Sequence, residues 1–449
     1  MCFAGTKNSG PYNNRAFTGA PFMTSFSWRD WRFPVEFALL LALAFVLPLR
    51  EAPKNILWLA YLIAWLINRI GARNFGGRLD VWDLLMAGLL AGGYLAAQFG
   101  GIHRADGNQW LAVNDILRYA LLFTCVRRAG YSDAQKLAVL AMLVGSCVLA
   151  EIEAIWNWKV IGKRRALELI SVGHVNHSAI YMAICLGVAA GLLATMWRAL
   201  RVPLRVALGV AILALMSGLF LGGSRAAGAT GVLLLLAAAL VAARAAHIGR
   251  RAWIAVGAVI AVAALMGGTS ALDRQLEWGA RNYSLAQRDL IWNRGLAGWR
   301  EHPVFGLGME NYGHFKEDVL KGWVTAQGRP YVAAEYAGAP HGHSLYINTL
   351  VERGLVGLAG VLALLGVWGW WLLRHRPKPG EPEARTALWF ASGSAWLVTL
   401  VIGFANTTLH HEHAMLALLA LALAVNSRGT RGESSRQAGA DPQSNHARA

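Results

Sequence analysis

Apolar segments recur along almost the whole chain, and this repetition limits the possible fold more than any other feature. About twelve of them are long enough, or nearly so, to cross the hydrocarbon core of a bilayer as a helix. They cover residues 33–49, 55–70, 81–99, 109–126, 135–156, 176–197, 203–221, 225–243, 252–268, 354–373, 385–404 and 411–426. The pattern therefore predicts an all-α polytopic integral membrane protein with about twelve transmembrane helices.

Composition and charge agree with this prediction. Of 449 residues, 56% are hydrophobic and only 15% are charged, which is rare in a soluble chain. The formal net charge of +17 is typical either of a nucleic-acid-binding protein or of a membrane protein with a cytoplasmic excess of Lys and Arg. Three of the four cysteines lie in or beside apolar runs, so neither a disulfide framework nor a thiolate metal site is expected. No removable signal peptide is expected either.

The positions of Lys and Arg decide between the two meanings of the net charge. With a cytoplasmic N-terminus, every inner connection carries at least three of them, and most outer connections carry far fewer. The exception is one basic cluster on the outer side, formed by Lys159, Lys163, Arg164 and Arg165. Both termini are therefore expected inside, and nucleic acid is not expected as a partner. The basic cluster either contacts an acidic group such as a phosphorylated lipid headgroup or belongs to an ordinary amphipathic surface helix.

This topology divides the chain into five segments. They are a cytoplasmic N-terminal segment (1–32), transmembrane helices 1–9 (33–268), an outer loop (269–353), transmembrane helices 10–12 (354–426) and a disordered cytoplasmic tail (427–449). A loop as long as 269–353 is usually functional or disordered, and its Trp, Tyr, Gly and Pro residues argue against disorder. Helices are predicted over 286–299 and 343–353, so the loop is expected to be partly helical and to carry the site.

Two arginines are candidates for binding an anion. Arg225 follows Gly222-Gly223-Ser224 at the outer end between the seventh and eighth spans, where it either binds phosphate or extends its side chain to the membrane surface. Arg288 shares a helical face with Trp292, Leu296 and Trp299. It either binds an anion or forms an ion pair with Asp289 or Glu301.

Histidines form two clusters on the outer side. His341 and His343 precede a short helix, and His343 is a candidate general base, with two exposed loop histidines as the alternative. A metal site there lacks a third ligand at suitable spacing. His410, His411 and His413, with Glu412, form the second cluster, which is interpreted as a solvated cap on the last span rather than a metal site. No metal and no cofactor are expected.

Several motifs are absent. The chain has no Walker-type phosphate loop, no Gly-X-Ser-X-Gly elbow and no Asp-X-Asp pair on the outer side. Chemistry on the outer face would have no ATP to use, so a donor there must arrive already activated. A lipid-linked diphosphate meets this requirement.

Four stretches together resemble the O-antigen ligase and polymerase superfamily of bacterial envelope enzymes. They are Gly223-Ser224-Arg225-Ala226, the segment from Arg288-Asp289 to Trp299, the segment Pro303–Tyr312, and His343-Ser344 followed after nine residues by Gly354-Leu355-Val356-Gly357. The last spacing is similar to the ligase motif and fits His343, whereas His341-Gly342 would leave eleven residues before Gly354. The resemblance covers roughly residues 210–404.

The resemblance implies a GT-C-like membrane enzyme of the bacterial inner membrane with its active site on the periplasmic face. It implies an O-antigen ligase, a metal-independent inverting glycosyltransferase of lipopolysaccharide biosynthesis. The enzyme would transfer O-antigen polysaccharide from undecaprenyl diphosphate to the lipid A–core oligosaccharide. Arg225 and Arg288 would bind the donor diphosphate, and His343 would act as the base. The basic cluster is a weaker candidate for binding phosphates of the acceptor.

The sequence also allows other functions. An O-antigen polymerase or a protein O-oligosaccharyltransferase would use the same lipid-linked donor and the same loop. A transporter of lipid-linked oligosaccharide is the alternative from a different class. Transporters usually place ionisable groups near the membrane midplane, whereas here these groups concentrate at the outer face.

Overall fold

The computed structural model describes residues 34–246, 250–251, 253–262, 265, 286–378 and 380–426. Within these ranges the chain forms helices and connecting turns and no strand. The predicted N-terminal segment 1–32, the first part of the outer loop and the tail 427–449 lie outside the described residues.

The helices follow the predicted apolar segments closely. They are α1 (Pro34–Val46), α2 (Glu51–Ala72), α3 (Val81–Phe99), α4 (Asn108–Leu111), α5 (Val113–Arg128), α6 (Asp133–Ile155), α7 (Val175–Thr195), α8 (Val202–Gly222), α9 (Arg225–Ala246), α10 (Trp253–Val262), α11 (Ala286–Glu301), α12 (Glu317–Ala326), α13 (Leu345–Arg374), α14 (Glu383–Ile402) and α15 (His411–Asn426). One π-helical turn, Trp156–Val160, extends α6, and a short 3₁₀ turn covers Ala333–Glu335.

Eight helices in the described part of the chain are long and apolar enough to cross a membrane. Three further apolar helices, α1, α10 and α15, are shorter. The predicted fourth span is divided, because α4 ends at Leu111 and α5 starts at Val113. The helical architecture thus fits a multi-pass membrane protein, and the count of twelve spans stays a prediction.

Helix α7 forms the centre of the bundle, where it packs against α8, α9 and α14. It is buried along nearly its whole length because small residues let its neighbours approach closely. A Cβ atom on Gly187 would lie 2.5 Å from the Ser394 side chain, and one on Gly191 would lie 2.5 Å from the Phe390 ring. Helix α15 packs against α5 and α14, so the C-terminal helix returns to the N-terminal half of the bundle.

A tight turn between α8 and α9 positions Arg225. Gly223 adopts a left-handed conformation (φ 70°) that ends α8, and Ser224 alone separates it from the next helix. Arg225 is therefore the first residue of α9. Its predicted location at the connection between two apolar helices is confirmed.

The described part of the loop before α13, which is predicted to lie on the outer side, has its own small core. This core contains Ala297, Leu307, Tyr312, Phe315, Leu320, Val324 and Val351. Helix α11 contributes Gly295 and Gly298, whose missing side chains leave room for the Tyr312 ring and for Leu307. The predicted helix is confirmed, but its most buried residues are Gly295, Ala297 and Gly298, while Leu296 is only partly buried.

Two glycine segments connect this loop to α13. Gly354 breaks the helix with φ 61° and ψ −161°, as predicted, and a Cβ there would lie 2.2 Å from the carbonyl oxygen of Val304. A Cβ on Gly306 would lie 2.5 Å from the carbonyl oxygen of Val351. Backbone hydrogen bonds join the segments, with Leu307 donating to Val351 at 2.7 Å and Leu355 donating to Pro303 at 2.9 Å. We call this contact the glycine junction.

Substitution Gly354→Ala tests the glycine junction. The added methyl group would collide with backbone atoms of Val304 and Gly306. The positive φ angle at this position is also unfavourable for alanine. We expect an apparent Tm at least about 5 °C below that of the wild type in detergent. Gly366→Ala on the exposed side of α13, where nothing lies within 4 Å of the new Cβ, is the matched control. Equal Tm values for the two variants would contradict this role of Gly354.

Candidate functional site

Arg225 and Arg288 come together although they are 63 positions apart in the sequence. Arg225 begins α9, and Arg288 lies in the first turn of α11. Burial lowers the pKa of Arg288, and the charge of nearby Arg225 lowers it further. The fold thus holds two like charges close together at one end of the helix bundle.

Among the described residues, neither of these guanidinium groups forms an ion pair or a hydrogen bond. Arg50, Arg104 and Arg127, by contrast, each pair with a carboxylate. No ion pair joins Arg288 to Asp289 or to Glu301 within this part of the chain, so that alternative is wrong. Two neighbouring guanidinium groups without a carboxylate form an environment suited to a phosphate or diphosphate.

A hydrogen bond connects α11, which carries Arg288, to the loop that contains His341 and His343. The indole Nε1 of Trp292 donates to the carbonyl oxygen of Gly342 at 2.7 Å. Trp292 lies one helical turn after Arg288, and Gly342 lies between the two loop histidines, so this bond places Arg288 and His343 at the same end of α11. The Tyr312 hydroxyl donates to the Ile291 carbonyl at 2.9 Å and holds the same face of α11.

The backbone around His343 is held from several sides. His343 has a left-handed conformation (φ 46°), which is uncommon for a residue with a side chain. Ser344 caps α13 by accepting from the Ile347 amide, and its hydroxyl donates to the carbonyl oxygen of Gly403 at 3.2 Å. The Gly342 amide donates to Asn348 Oδ1 at 2.8 Å. Strained backbone held in this way is frequent at functional sites.

His343 is half-buried and lies in a positive environment. Burial, His341, Arg288 and His174 lower its pKa to about 4. The imidazole is therefore neutral at neutral pH and can accept a proton. The electrostatic effect of Arg288 on this pKa also shows that the two predicted residues are neighbours. The structure brings together Arg225, Arg288 and His343.

Further histidines lie next to this group. The rings of His341 and His343 are 4.3 Å apart between centroids, and that of His177 is 6.2 Å from His341. His177 is also 5.9 Å from both His174 and His410. The sequence interpretation missed His174 and His177, although their spacing of three residues at the start of α7 places them on one face of a helix.

The interpretation of the last histidine cluster as a solvated cap is wrong. His413 is fully buried and its Nε2 lies 2.9 Å from the carbonyl oxygen of Thr407. Glu412 is also buried and forms an ion pair with Lys54 of α2. These residues are buried because the first turn of α15 packs inside the bundle rather than at its surface. His410 and His411 are partly exposed and lie beside Asp115 of α5, and these three residues could hold a metal ion.

The basic cluster is exposed in the connection after α6. The Lys159 ammonium group lies 3.8 Å from the centroid of the Trp158 ring, and Arg164 forms an ion pair of 3.1 Å with Glu168. Among the described contacts, none joins this cluster to Arg288 or His343. Its role in binding an acceptor stays a prediction.

Fold and site together define a class, which is a multi-pass helical membrane protein with two guanidinium groups, neither of which has a carboxylate partner among the described residues, beside a neutral histidine. Residues 209–362 match the sequence model of a family described as O-antigen ligase. This match covers about a third of the chain and supports an assignment to the O-antigen ligase family. The matched region extends from α8 into α13 and includes both arginines, His343 and the glycine junction. No curated protein matches the chain.

Binding of inorganic pyrophosphate tests the arginine pair without any assumption about the reaction. Removing one charge-assisted donor should weaken binding by about tenfold or more, so Arg225→Gln and Arg288→Gln should both raise the Kd. Isothermal titration of the purified protein measures this effect. Arg300→Gln is the matched control because Arg300 is exposed on the same helix as Arg288. Equal affinities for all variants would show that the pair is not an anion site.

Proposed function

We propose that this protein is an O-antigen ligase of lipopolysaccharide biosynthesis. It would transfer O-antigen polysaccharide from undecaprenyl diphosphate to the lipid A–core oligosaccharide by metal-independent, inverting glycosyl transfer. The observation that carries the proposal is the pair of neighbouring guanidinium groups beside neutral His343, which have no carboxylate partner in the described part of the chain and lie within the region that matches the family. The twelve-span topology, with the loop on the periplasmic face of the inner membrane, belongs to the same proposal.

In this proposal Arg225 and Arg288 bind the donor diphosphate. Their mutual repulsion is relieved when the anion enters, so donor binding uses two positive charges that no described carboxylate neutralises. As the glycosidic bond breaks, negative charge grows on the leaving diphosphate. Two fixed guanidinium groups stabilise this charge more in the transition state than in the ground state, which accelerates the reaction.

His343 acts as the general base. The acceptor sugar hydroxyl attacks the anomeric carbon, a new carbon–oxygen bond forms, and the bond from that carbon to the diphosphate oxygen breaks. The hydroxyl proton moves to the imidazole of His343, and undecaprenyl diphosphate leaves. Because the nucleophile and the leaving group lie on opposite sides of the carbon, the configuration inverts.

Donor binding and the basicity of His343 are coupled through electrostatic interactions. In the free protein, burial and nearby positive groups, including Arg288, hold the pKa of His343 at about 4, which makes the imidazole a weak base. A bound diphosphate would offset the positive charge of Arg288 and raise this pKa toward the ordinary value. His343 would then be a stronger base when the activated donor is present, which favours transfer only in the loaded enzyme.

The basic cluster Lys159, Lys163, Arg164 and Arg165 is retained as a weaker proposal for binding phosphates of the acceptor. Three of its four cations have no carboxylate partner among the described residues, since only Arg164 pairs with one. All four residues are exposed, which an incoming lipid-linked acceptor requires.

A reconstituted assay tests the proposed reaction. Purified protein receives an undecaprenyl diphosphate-linked glycan and lipid A–core with EDTA present, and products are resolved on a gel. The wild type should form a slower-migrating lipopolysaccharide. His343→Ala, Arg288→Ala and Arg225→Ala should each lower the rate by about 100-fold or more, because each removes a group that acts in the transition state. His314→Ala and Arg300→Ala change exposed residues and should leave the rate unchanged.

Other products would identify the alternatives. A lengthened lipid-linked glycan without core modification would indicate a polymerase, and transfer to an added pilin-like protein would indicate a protein O-oligosaccharyltransferase. Movement of intact donor across a vesicle membrane, without transfer, would indicate a transporter. Full transfer by a well-folded His343→Ala protein would contradict the assigned base.

A further inference from the structure

Asp115, His410 and His411 form a group that the proposed transfer reaction does not use. Asp115 lies in the first turn of α5, while His410 and His411 lie at the start of α15, 295 residues later in the chain. One ligand atom from each side chain lies within 4.8 Å of the other two. We propose that these three residues bind one zinc ion that fastens α15 to α5.

The distances fit tetrahedral zinc after small side-chain movements. Asp115 Oδ2 lies 2.7 Å from His411 Nδ1 and 3.9 Å from His410 Nε2. Ligand atoms at about 2.0–2.1 Å from a tetrahedral zinc ion are roughly 3.3 Å apart, so the two measured distances lie on either side of the required value. Two imidazoles and one carboxylate are also the ligand types that zinc prefers among nitrogen and oxygen donors.

The hydrogen bonding of Asp115 and His410 leaves one ligand atom of each residue available to a metal ion. The Arg118 guanidinium lies 3.4 Å from Asp115 Oδ1 and leaves Oδ2 facing the histidines. In the described part of the chain, Nδ1 of His410 is buried without a hydrogen-bond partner, and its Nε2 is too far from Asp115 for a hydrogen bond. Neither ring nitrogen of His410 thus has a hydrogen-bond partner among the described residues. Zinc bound to Nε2 would give one of the two nitrogens a partner.

Access and backbone conformation agree with a bound ion. The side chains of His410 and His411 are 33% and 39% exposed, and that of Asp115 is 16% exposed, so water can supply a fourth ligand. The ring centroids of His410 and His411 lie 3.6 Å apart, and the interplanar angle is 69°. His411 also adopts a left-handed conformation (φ 45°), a strained geometry that directs adjacent side chains toward the same carboxylate.

The three residues lie outside the family match and have no role in the proposed reaction, although the His410 ring lies 5.9 Å from that of His177, which is 6.2 Å from that of His341. Residues 115, 410 and 411 lie outside the matched region 209–362. The ion would act by stabilising the contact between α5 and α15, which also packs against α14. Zinc binding can therefore be present or absent whether or not the protein is a ligase, and the two proposals fail independently.

Zinc content tests the proposal directly. The full chain is purified without a histidine tag, stripped with EDTA, incubated with Zn²⁺, desalted and analysed by mass spectrometry for metal. The wild type and the control His314→Gln, which changes an exposed loop histidine, should each retain about one zinc ion per chain. Asp115→Asn, His410→Gln and His411→Gln should each bind zinc at least about tenfold more weakly. Zn²⁺ should raise the apparent Tm of the wild type but not that of Asp115→Asn.

Either of two results would overturn the proposal. One is equal zinc content in the wild type and in all three site variants, which would place the ion elsewhere or show that the three residues form only an ion pair. The other result would come from a measurement on the wild-type protein alone. X-ray absorption at the zinc edge of the wild-type protein should show imidazole ligands together with oxygen, and a spectrum without imidazole would exclude the site.

Discussion

The hydrogen bond from the Trp292 indole to the Gly342 carbonyl is the contact on which the site depends most. It joins α11, which carries Arg288, to the loop that carries His343. The glycine junction supports the same arrangement from the other side, because it connects Gly306 of the loop to Gly354 of α13. Arg288 and His343, which are far apart in the sequence, thus reach one end of the bundle together.

The arginine pair carries an electrostatic penalty that the rest of the fold must offset. Arg225 and Arg288 influence each other, and no described carboxylate neutralises them. Packing in the loop core, around Tyr312 and Leu307, holds α11 in place against this repulsion. A fold that holds two like charges close together is preorganised for an anion, because the positive groups are already in place when the anion binds.

Much of the architecture follows from the sequence because its signals are local. Apolar periodicity predicted the helices, and Gly354 was expected to end the helix predicted over 343–353, where the structure shows a break at φ 61°. Long-range contacts were not predictable in this way. Nothing near His410 in the sequence indicates Asp115, and the burial of His413 depends on where α15 packs. The two arginines were found as separate candidates, but only the fold shows that they are neighbours.

The most direct test of the central claim is a structure of the full chain in a lipid nanodisc with an undecaprenyl diphosphate-linked glycan bound. We expect the diphosphate to contact both Arg225 and Arg288 and the anomeric carbon to face His343. A diphosphate bound at the basic cluster, or at any other place without contact to Arg225 and Arg288, would contradict the proposed donor site.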